Sequence, residues 1–191
     1  MIGSLIDFIE IWKKEADVTE AVLQNLTDQM LNDPKASAKL LSPCAWEIIC
    51  FPADMLAHTE LILDKPDPEL LNPHSSESLL KAYDAMVDSL ILQIHCKWMD
   101  DVLTLREEIF GKIWTRRELL EAMVFRQVHL RGQLCLLLKH NDCPFNSPYG
   151  NVDKWMEQTE KKTKPSPLPS STPPLSIPEG KEEINPYLIE E

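Results

Sequence analysis

Glycine is scarce in this chain, with five among 191 residues. That scarcity argues against a β fold rich in hairpins and against glycine-rich loops that cradle phosphates. No apolar run approaches the roughly 18 residues that a membrane-spanning helix needs. Basic residues are also few, since 19 Lys and Arg face 31 Asp and Glu, a formal charge of −12. We therefore expect neither nucleic acid nor an anionic membrane surface as a partner.

Cysteine pairs of the C-x-x-C type are absent. The five cysteines are Cys44, Cys50, Cys96, Cys135 and Cys143. They show no cluster with the short spacings of a zinc site, so we expect buried or half-buried free thiols in a reducing compartment. The N-terminus lacks the basic region and apolar core of a secretory signal, and the cytoplasm is the expected location.

What the chain does contain is long segments with apolar residues at helical spacing. The face of the first helix consists of Phe8, Trp12, Ala16, Val22, Leu26 and Met30. Residues 32–34 predict its end. Ser42 and Pro43 predict the start of a second helix, with serine as the N-cap, that runs to about Leu63. Pro52 is expected to kink or interrupt that helix.

Two further helices complete the predicted architecture. The third spans about residues 76–99, with the apolar face Leu80, Tyr83, Val87, Leu90 and Ile94. A loop with Gly111 follows. Thr115 and Glu118 form a capping-box pattern that starts the fourth helix, which continues to about His140. Four long helices with connecting loops predict an all-α fold, an antiparallel four-helix bundle.

Proline dominates the C-terminal part of the sequence. Seven prolines lie between residues 165 and 186. Proline at this density prevents helix and sheet, and few apolar residues remain to be buried. We therefore expect one domain over residues 1–150 and an extended or flexible proline-rich tail over residues 151–191. Its apolar end, residues 184–189, either docks on the bundle or on a protein partner, or stays disordered.

Two stretches together carry a family resemblance. They are Trp46–Ile49 with Asp54–Leu61, and Trp114–Thr115 with Arg126–Leu134 and Pro148–Gly150. This pattern resembles the DinB-like superfamily, whose members are four-helix bundles, over roughly residues 5–150. The R-G-Q triplet at Arg131–Gln133 and the turn at Tyr149–Gly150 are its most specific marks.

The resemblance implies a divalent metal held by three histidines, one on the second helix and two on the last helix four residues apart. Those positions are Glu47, Arg126 and Leu130 in this chain. Arginine and leucine offer no lone pair to a metal, so we expect the fold without the usual metal site and no cofactor. We expect Glu47 and Arg126 to pair inside the bundle, with Leu130 filling the remaining volume.

The resemblance and the substitutions leave two functions open. The first is a catalytically degenerate DinB-like protein that acts as a ligand-binding or interaction protein. The alternative is a thiol-linked transferase or hydrolase that depends on a divalent metal, zinc or nickel, at a rearranged site made of Glu47, Cys50 and His129. A homodimer is a further open alternative, because members of the superfamily often pair through bundle faces.

The remaining marks have structural explanations. Gly132 inside a helix costs about 1 kcal/mol relative to alanine, so we expect it to allow a close approach to a neighbouring helix. Arg131 and Gln133 are expected to point to other faces, towards loops or a second subunit. Trp12, Trp98 and Trp114 are expected to be core or half-core anchors.

Overall fold

Four long helices, one short helix and a β-hairpin make up most of the described chain. The computed structural model describes residues 2–35, 38–66, 74–109 and 111–143. In chain order the elements are α1 (Leu5–Leu23), α2 (Asp28–Leu31), α3 (Leu41–Leu56), α4 (Ser76–Lys97), β1 (Arg106–Ile109), β2 (Lys112–Thr115) and α5 (Arg116–His140). The predicted boundary at residue 150, the tail and the Tyr149–Gly150 turn lie outside the described residues.

The long helices pack around a shared apolar core. Helices α1 and α3 each contact both α4 and α5, so every long helix has two long neighbours. Trp12 and Trp98 are buried and Trp114 is half-buried, as expected of core anchors. The predicted helical class is confirmed for this part of the chain. Among the described residues, no helix is long and apolar enough to cross a membrane.

The first predicted helix is broken in the structure. Helix α1 ends at Leu23, and α2 begins only after Thr27. The Asn25 side chain donates to the carbonyl of Ala21 at 2.7 Å, and the Thr27 hydroxyl accepts from Met30 N at 3.3 Å. These polar side chains satisfy backbone groups locally and so end one helix and start the next. The helical spacing of apolar residues continues across the break, so the spacing alone predicted one continuous helix.

The start of α3 differs from the prediction. A 3₁₀ turn at Ala38–Leu40 leads directly into the helix, and no side chain caps it. Ser42 is the second residue of α3 and is buried, so its predicted role as N-cap is wrong. Pro43 still stands in the first turn, where its missing N–H costs no helical hydrogen bond.

The end of α3 also differs. The helix continues through Pro52 without interruption, although proline provides no N–H for the carbonyl of Ile48. It stops at Leu56, about two turns before the predicted end near Leu63. The Thr59 hydroxyl donates to the Leu56 carbonyl at 2.8 Å and satisfies one of the acceptors that the helix end leaves open.

The predicted loop around Gly111 is a β-hairpin. Strands β1 and β2 are antiparallel, and Glu107 pairs with Trp114 and Ile109 with Lys112. Gly111 has a φ of +73°, a conformation that other residues rarely adopt in such a tight connection. Strands of four residues are too short for an alternating pattern to be recognised in the sequence. Only Ile109 among the residues of the two strands is fully buried, so apolar alternation is also weak.

The last two long helices follow the prediction closely. Helix α4 begins after the N-cap Ser75. Helix α5 begins with the predicted capping box, in which Thr115 N donates to Glu118 Oε2 at 2.7 Å and Glu118 N donates to Thr115 Oγ1 at 3.2 Å. It ends at His140 as expected. These contacts lie within one helical turn, so sequence alone predicts them.

Candidate functional site

A cavity of about 690 Å³ lies between α3, β2 and α5. We call it the α3–α5 cavity. Its apolar wall consists of Pro43, Trp46, Phe51, Met55, Trp114 and Ala122. Its size and its aromatic lining are typical of pockets that hold small organic molecules.

An ion pair between Glu47 and Arg126 lies at this cavity. Arg126 Nη2 donates to Glu47 Oε1 at 2.7 Å, so the two residues meet as predicted. They do not meet inside the bundle, since 47% of the Glu47 side chain and 49% of the Arg126 side chain are exposed. The reason is that both side chains are long enough to keep their charges in water while their stems line the cavity.

Leu130 occupies the third position that the resemblance assigns to a metal ligand. It is buried in the core, one turn beyond Arg126 on α5, and does not line the α3–α5 cavity. The Cys44 thiol donates a weak hydrogen bond of 3.8 Å to the Leu130 carbonyl. Leu130 is buried as expected, but it packs in the core and does not fill volume at the cavity where Glu47 and Arg126 meet.

The rearranged metal site does not assemble. His129 is exposed, and its Nε2 lies 3.0 Å from Nε2 of Gln133. Glu47 is engaged by a guanidinium and Cys50 lies in the cavity wall. Across residues 2–35, 38–66, 74–109 and 111–143, no group of three His, Cys, Asp or Glu side chains could hold a metal ion. A divalent ion therefore does not fit Glu47, Cys50 and His129 as they are arranged here.

The thiols near the cavity are protonated at neutral pH. Burial raises the pKa of Cys50. Burial, with a smaller effect of the Glu47 carboxylate, raises the pKa of Cys44 to about 11. Since the thiolate is the nucleophilic form, neither group is activated. Cys96 is exposed, so the expectation that all five thiols are at least half-buried is wrong for this residue.

A second ion pair lies at the cavity, further along α3. Lys65 Nζ donates to both carboxylate oxygens of Asp54, at 2.8 and 3.0 Å. Asp54 follows Glu47 by seven residues, which is two turns or about 10 Å along the helix axis. The charges that line the cavity are thus two acidic and two basic side chains, each acidic one paired with a basic one.

Arg116 fixes β2, and with it Trp114, beside the cavity. Its guanidinium donates to both oxygens of Glu60, at 2.7 and 2.6 Å, and through Nε to Glu107 at 2.8 Å. It also lies 4.8 Å above the ring of Trp98. These contacts engage all three guanidinium nitrogens of a buried side chain and tie the hairpin to the segment after α3.

A buried polar network is the feature that the sequence did not predict. Arg131 is 2% exposed and donates to Glu15 Oε2 at 2.6 Å and to Thr19 Oγ1 at 3.0 Å. Gln127 Nε2 donates to Tyr83 Oη at 3.0 Å. The prediction that Arg131 points to loops or a second subunit is wrong, because it ties α5 to α1. Its spacing of four residues from Gln127 was the available signal.

Gly132 does not serve a close helix approach. A Cβ atom added to Gly132 meets no heavy atom within 4 Å, so the glycine faces open space. The expected contact with a neighbouring helix is wrong. The R-G-Q triplet therefore combines one buried arginine, one exposed glycine and the exposed Gln133 next to His129.

Comparison with known proteins agrees with the resemblance. A model of the DinB family matches residues 1–163. The uncharacterised protein YrdA of Bacillus subtilis is 25% identical over 157 residues, which are 81% of this chain and 94% of YrdA. A DinB-like protein from Bacillus cereus has a crystal structure that matches with a TM-score of 0.66 at 24% identity, over 76% of this chain and 99% of that one. This chain belongs to the DinB family.

Proposed function

We propose that this protein binds a small organic ligand in the α3–α5 cavity and is catalytically degenerate with respect to metal chemistry. One observation carries the proposal: an Arg126–Glu47 ion pair stands where the resemblance puts metal ligands, against an aromatic wall. A permanently charged guanidinium repels a divalent cation and cannot coordinate it. The pocket itself remains, with the size and lining of a ligand site.

Metal content of the full-length, tag-free protein tests this directly. We expect no stoichiometric metal by mass spectrometry and no calorimetric binding of zinc, nickel or manganese. The matched control carries Glu47→His, Arg126→His and Leu130→His together and is expected to gain zinc binding. Because Leu130 is buried, the circular dichroism spectrum of this variant is compared with that of the unaltered protein first. Binding by the control shows that the assay detects such a site.

The alternative is the metal-dependent, thiol-linked transferase or hydrolase. Stoichiometric metal or micromolar binding by the unaltered protein would establish it in place of our proposal. Glu47, Cys50 and His129 are then the first residues to replace. The raised pKa of Cys50 and the exposed position of His129 weigh against this alternative.

The architecture that we infer is the antiparallel four-helix bundle. The support is that each of α1, α3, α4 and α5 packs against two of the others. We also place the protein in the cytoplasm, on the strength of five cysteines without a disulfide framework in the sequence.

An interaction role has its own support on the outward face of α5. Phe125 and Leu136 are 72% and 58% exposed, and Val128 and Gly132 lie between them at helical spacing. We call these four residues the α5 stripe. It lies opposite the core side of the helix, so α5 is apolar on two faces, a pattern typical of helices buried on both sides.

A second copy of the chain is the partner that fits the α5 stripe. An antiparallel pair of α5 helices centred at residue 130 brings Glu121 opposite Lys139 and Val128 opposite Gly132, so unlike charges and matched sizes meet. Sedimentation equilibrium is expected to show a dimer that Leu136→Lys dissociates. Leu92→Lys, at a residue of α4 with 62% exposure, is the control and leaves the dimer intact. A monomeric unaltered protein contradicts this role.

We further propose a protein partner for the proline-rich residues 151–191. Proline-rich segments present extended surfaces to partner domains. Truncation after about residue 160 is expected to abolish association with such a partner, as measured by co-purification, while the truncated chain keeps its helical circular dichroism spectrum.

A further inference from the structure

Arg126 has unused hydrogen-bond donors at the α3–α5 cavity. It makes one hydrogen bond, from Nη2 to Glu47, and neither Nε nor Nη1 donates to another described residue. Arg116 shows the contrast within the same molecule, because its Nε, Nη1 and Nη2 all donate to carboxylates. A guanidinium has five N–H donors in a planar fork that matches a carboxylate, so Arg126 can take a second anion.

The surfaces next to Arg126 are flat and apolar. The guanidinium carbon lies 5.8 Å from the centre of the Phe51 ring. Trp46 and Trp114 line the same cavity, and Trp46 and Phe51 are almost fully buried and therefore fixed in position. A rigid aromatic wall beside a cationic fork suits a molecule that has a flat apolar body and an anionic head.

Cationic ligands have less to bind here. Both oxygens of Asp54 already accept hydrogen bonds from Lys65. One oxygen of Glu47 accepts from Arg126. A ligand cation would therefore compete with a permanently charged guanidinium for Glu47, whereas a ligand anion meets Arg126 donors that no other described residue occupies.

We infer that the α3–α5 cavity takes an aromatic carboxylate, with its head on Arg126 and its ring against Trp46, Phe51 and Trp114. This inference rests on the proposed ligand-binding function and names its chemical class. In this arrangement the Glu47 carboxylate competes with the ligand carboxylate for Arg126. It either shares the guanidinium with the ligand or is displaced by the ligand. Replacement of Arg126 and replacement of Glu47 should therefore have opposite effects on binding.

Calorimetric titration of the full-length protein with three matched probes tests the class. Naphthylacetate, naphthylethanol and naphthylethylamine share the ring and differ in the head group. We expect the carboxylate to bind about tenfold more tightly than the alcohol, since a charge-assisted hydrogen bond replaces a neutral one. Arg126→Gln removes this preference, and Glu47→Gln increases the affinity for the carboxylate. Arg117→Gln on the same helix is the charge-matched control and changes neither.

The possible results distinguish an error in the ligand class, an aromatic carboxylate, from an error in the proposed ligand-binding function. Equal or tighter binding of the alcohol or the amine overturns the carboxylate class and leaves ligand binding in place. A preference that survives Arg126→Gln also overturns it. Failure of all three probes to bind overturns both. A folding defect does not explain the expected pattern, because Glu47→Gln breaks the same ion pair and acts in the opposite direction.

Discussion

At the scale of single residues, two arginines of α5 differ both in burial and in the number of their hydrogen-bond partners. Arg126 and Arg131 each donate to a glutamate at 2.6 to 2.7 Å, but 49% of the Arg126 side chain is exposed against 2% for Arg131. An exposed ion pair contributes little to the free energy of unfolding because water screens the two charges. Removal of one member of a buried pair costs more, because the other charge is then left without compensation. Equal distances therefore correspond to unequal contributions to stability.

Arg131→Met should lower the free energy of unfolding by about 3 kcal/mol or more, and Arg126→Met by about 1 kcal/mol or less. Urea denaturation of both variants measures the difference. The two substitutions lie on one helix and remove the same charge, so each controls for the other. Similar losses in the two variants would contradict the role we give to the burial of Arg131 and to its additional hydrogen bonds.

Gly132 offers a stabilising substitution. Because a Cβ atom there meets nothing and glycine is a poor helix former, Gly132→Ala should stabilise the protein by about 0.5 to 1 kcal/mol. Gly111→Ala is the contrasting variant, since Gly111 has a φ of +73° that alanine adopts only with strain, and it should destabilise. Thermal unfolding of both variants measures the signs. Both variants are compared in the Leu136→Lys background, because Gly132 faces Val128 of the second copy in the proposed dimer. A loss of stability in Gly132→Ala in that background would contradict the open space around Gly132.

At the scale of elements, Arg116 ties the hairpin to the segment after α3, in addition to the core contacts of Ile109 and Trp114. Hydrogen bonds from Arg116 hold the pKa of Glu60 below its ordinary value. A group with a lowered folded-state pKa contributes stability above its unfolded-state pKa, about 4.3 for glutamate, and loses it as the pH falls through the folded-state pKa. The attachment of the hairpin should therefore weaken in acid.

Glu60→Gln tests this linkage. We expect the variant to be less stable than the unaltered protein at neutral pH, with a difference that shrinks as the pH falls below about 4. Chemical denaturation at neutral and acidic pH measures it. Asp54→Asn, which breaks the exposed pair with Lys65, serves as the comparison and should cost less at neutral pH. A difference that stays constant with pH would contradict the assignment.

At the scale of the whole molecule, net charge decides which partners are excluded. The formal charge of −12 predicts no measurable affinity for duplex DNA at about 0.1 M salt, because binding depends on cations that neutralise phosphates. Fluorescence anisotropy with a labelled duplex measures this. Binding that weakens steeply with added salt would contradict the prediction and indicate a basic surface.

Local signals in the sequence were sufficient to predict the four long helices and those helix ends that have a capping motif. Thr115 and Glu118 predicted the start of α5 because their contacts span three residues. The resemblance to the superfamily predicted that Glu47 and Arg126 lie at one site, although 79 residues separate them in the chain. Predictions of helix ends were wrong where two local signals compete. At Ser42 the preceding 3₁₀ turn leads directly into the helix, so serine is not the N-cap. At Asn25 the side chain binds a backbone carbonyl and helps to end α1, although the apolar spacing continues.

The sequence by itself determined the helical class, the family and the chemical nature of the three substituted positions, because composition, periodicity and side-chain chemistry need no partner. Only the tertiary structure decided the exposure of Arg126, the burial of Arg131 and the open space around Gly132. Arg131 meets Glu15 across 116 residues of chain. Burial and contact at that separation depend on how helices pack, since adjacent residues on one helix point about 100° apart and their environments are set by different neighbours.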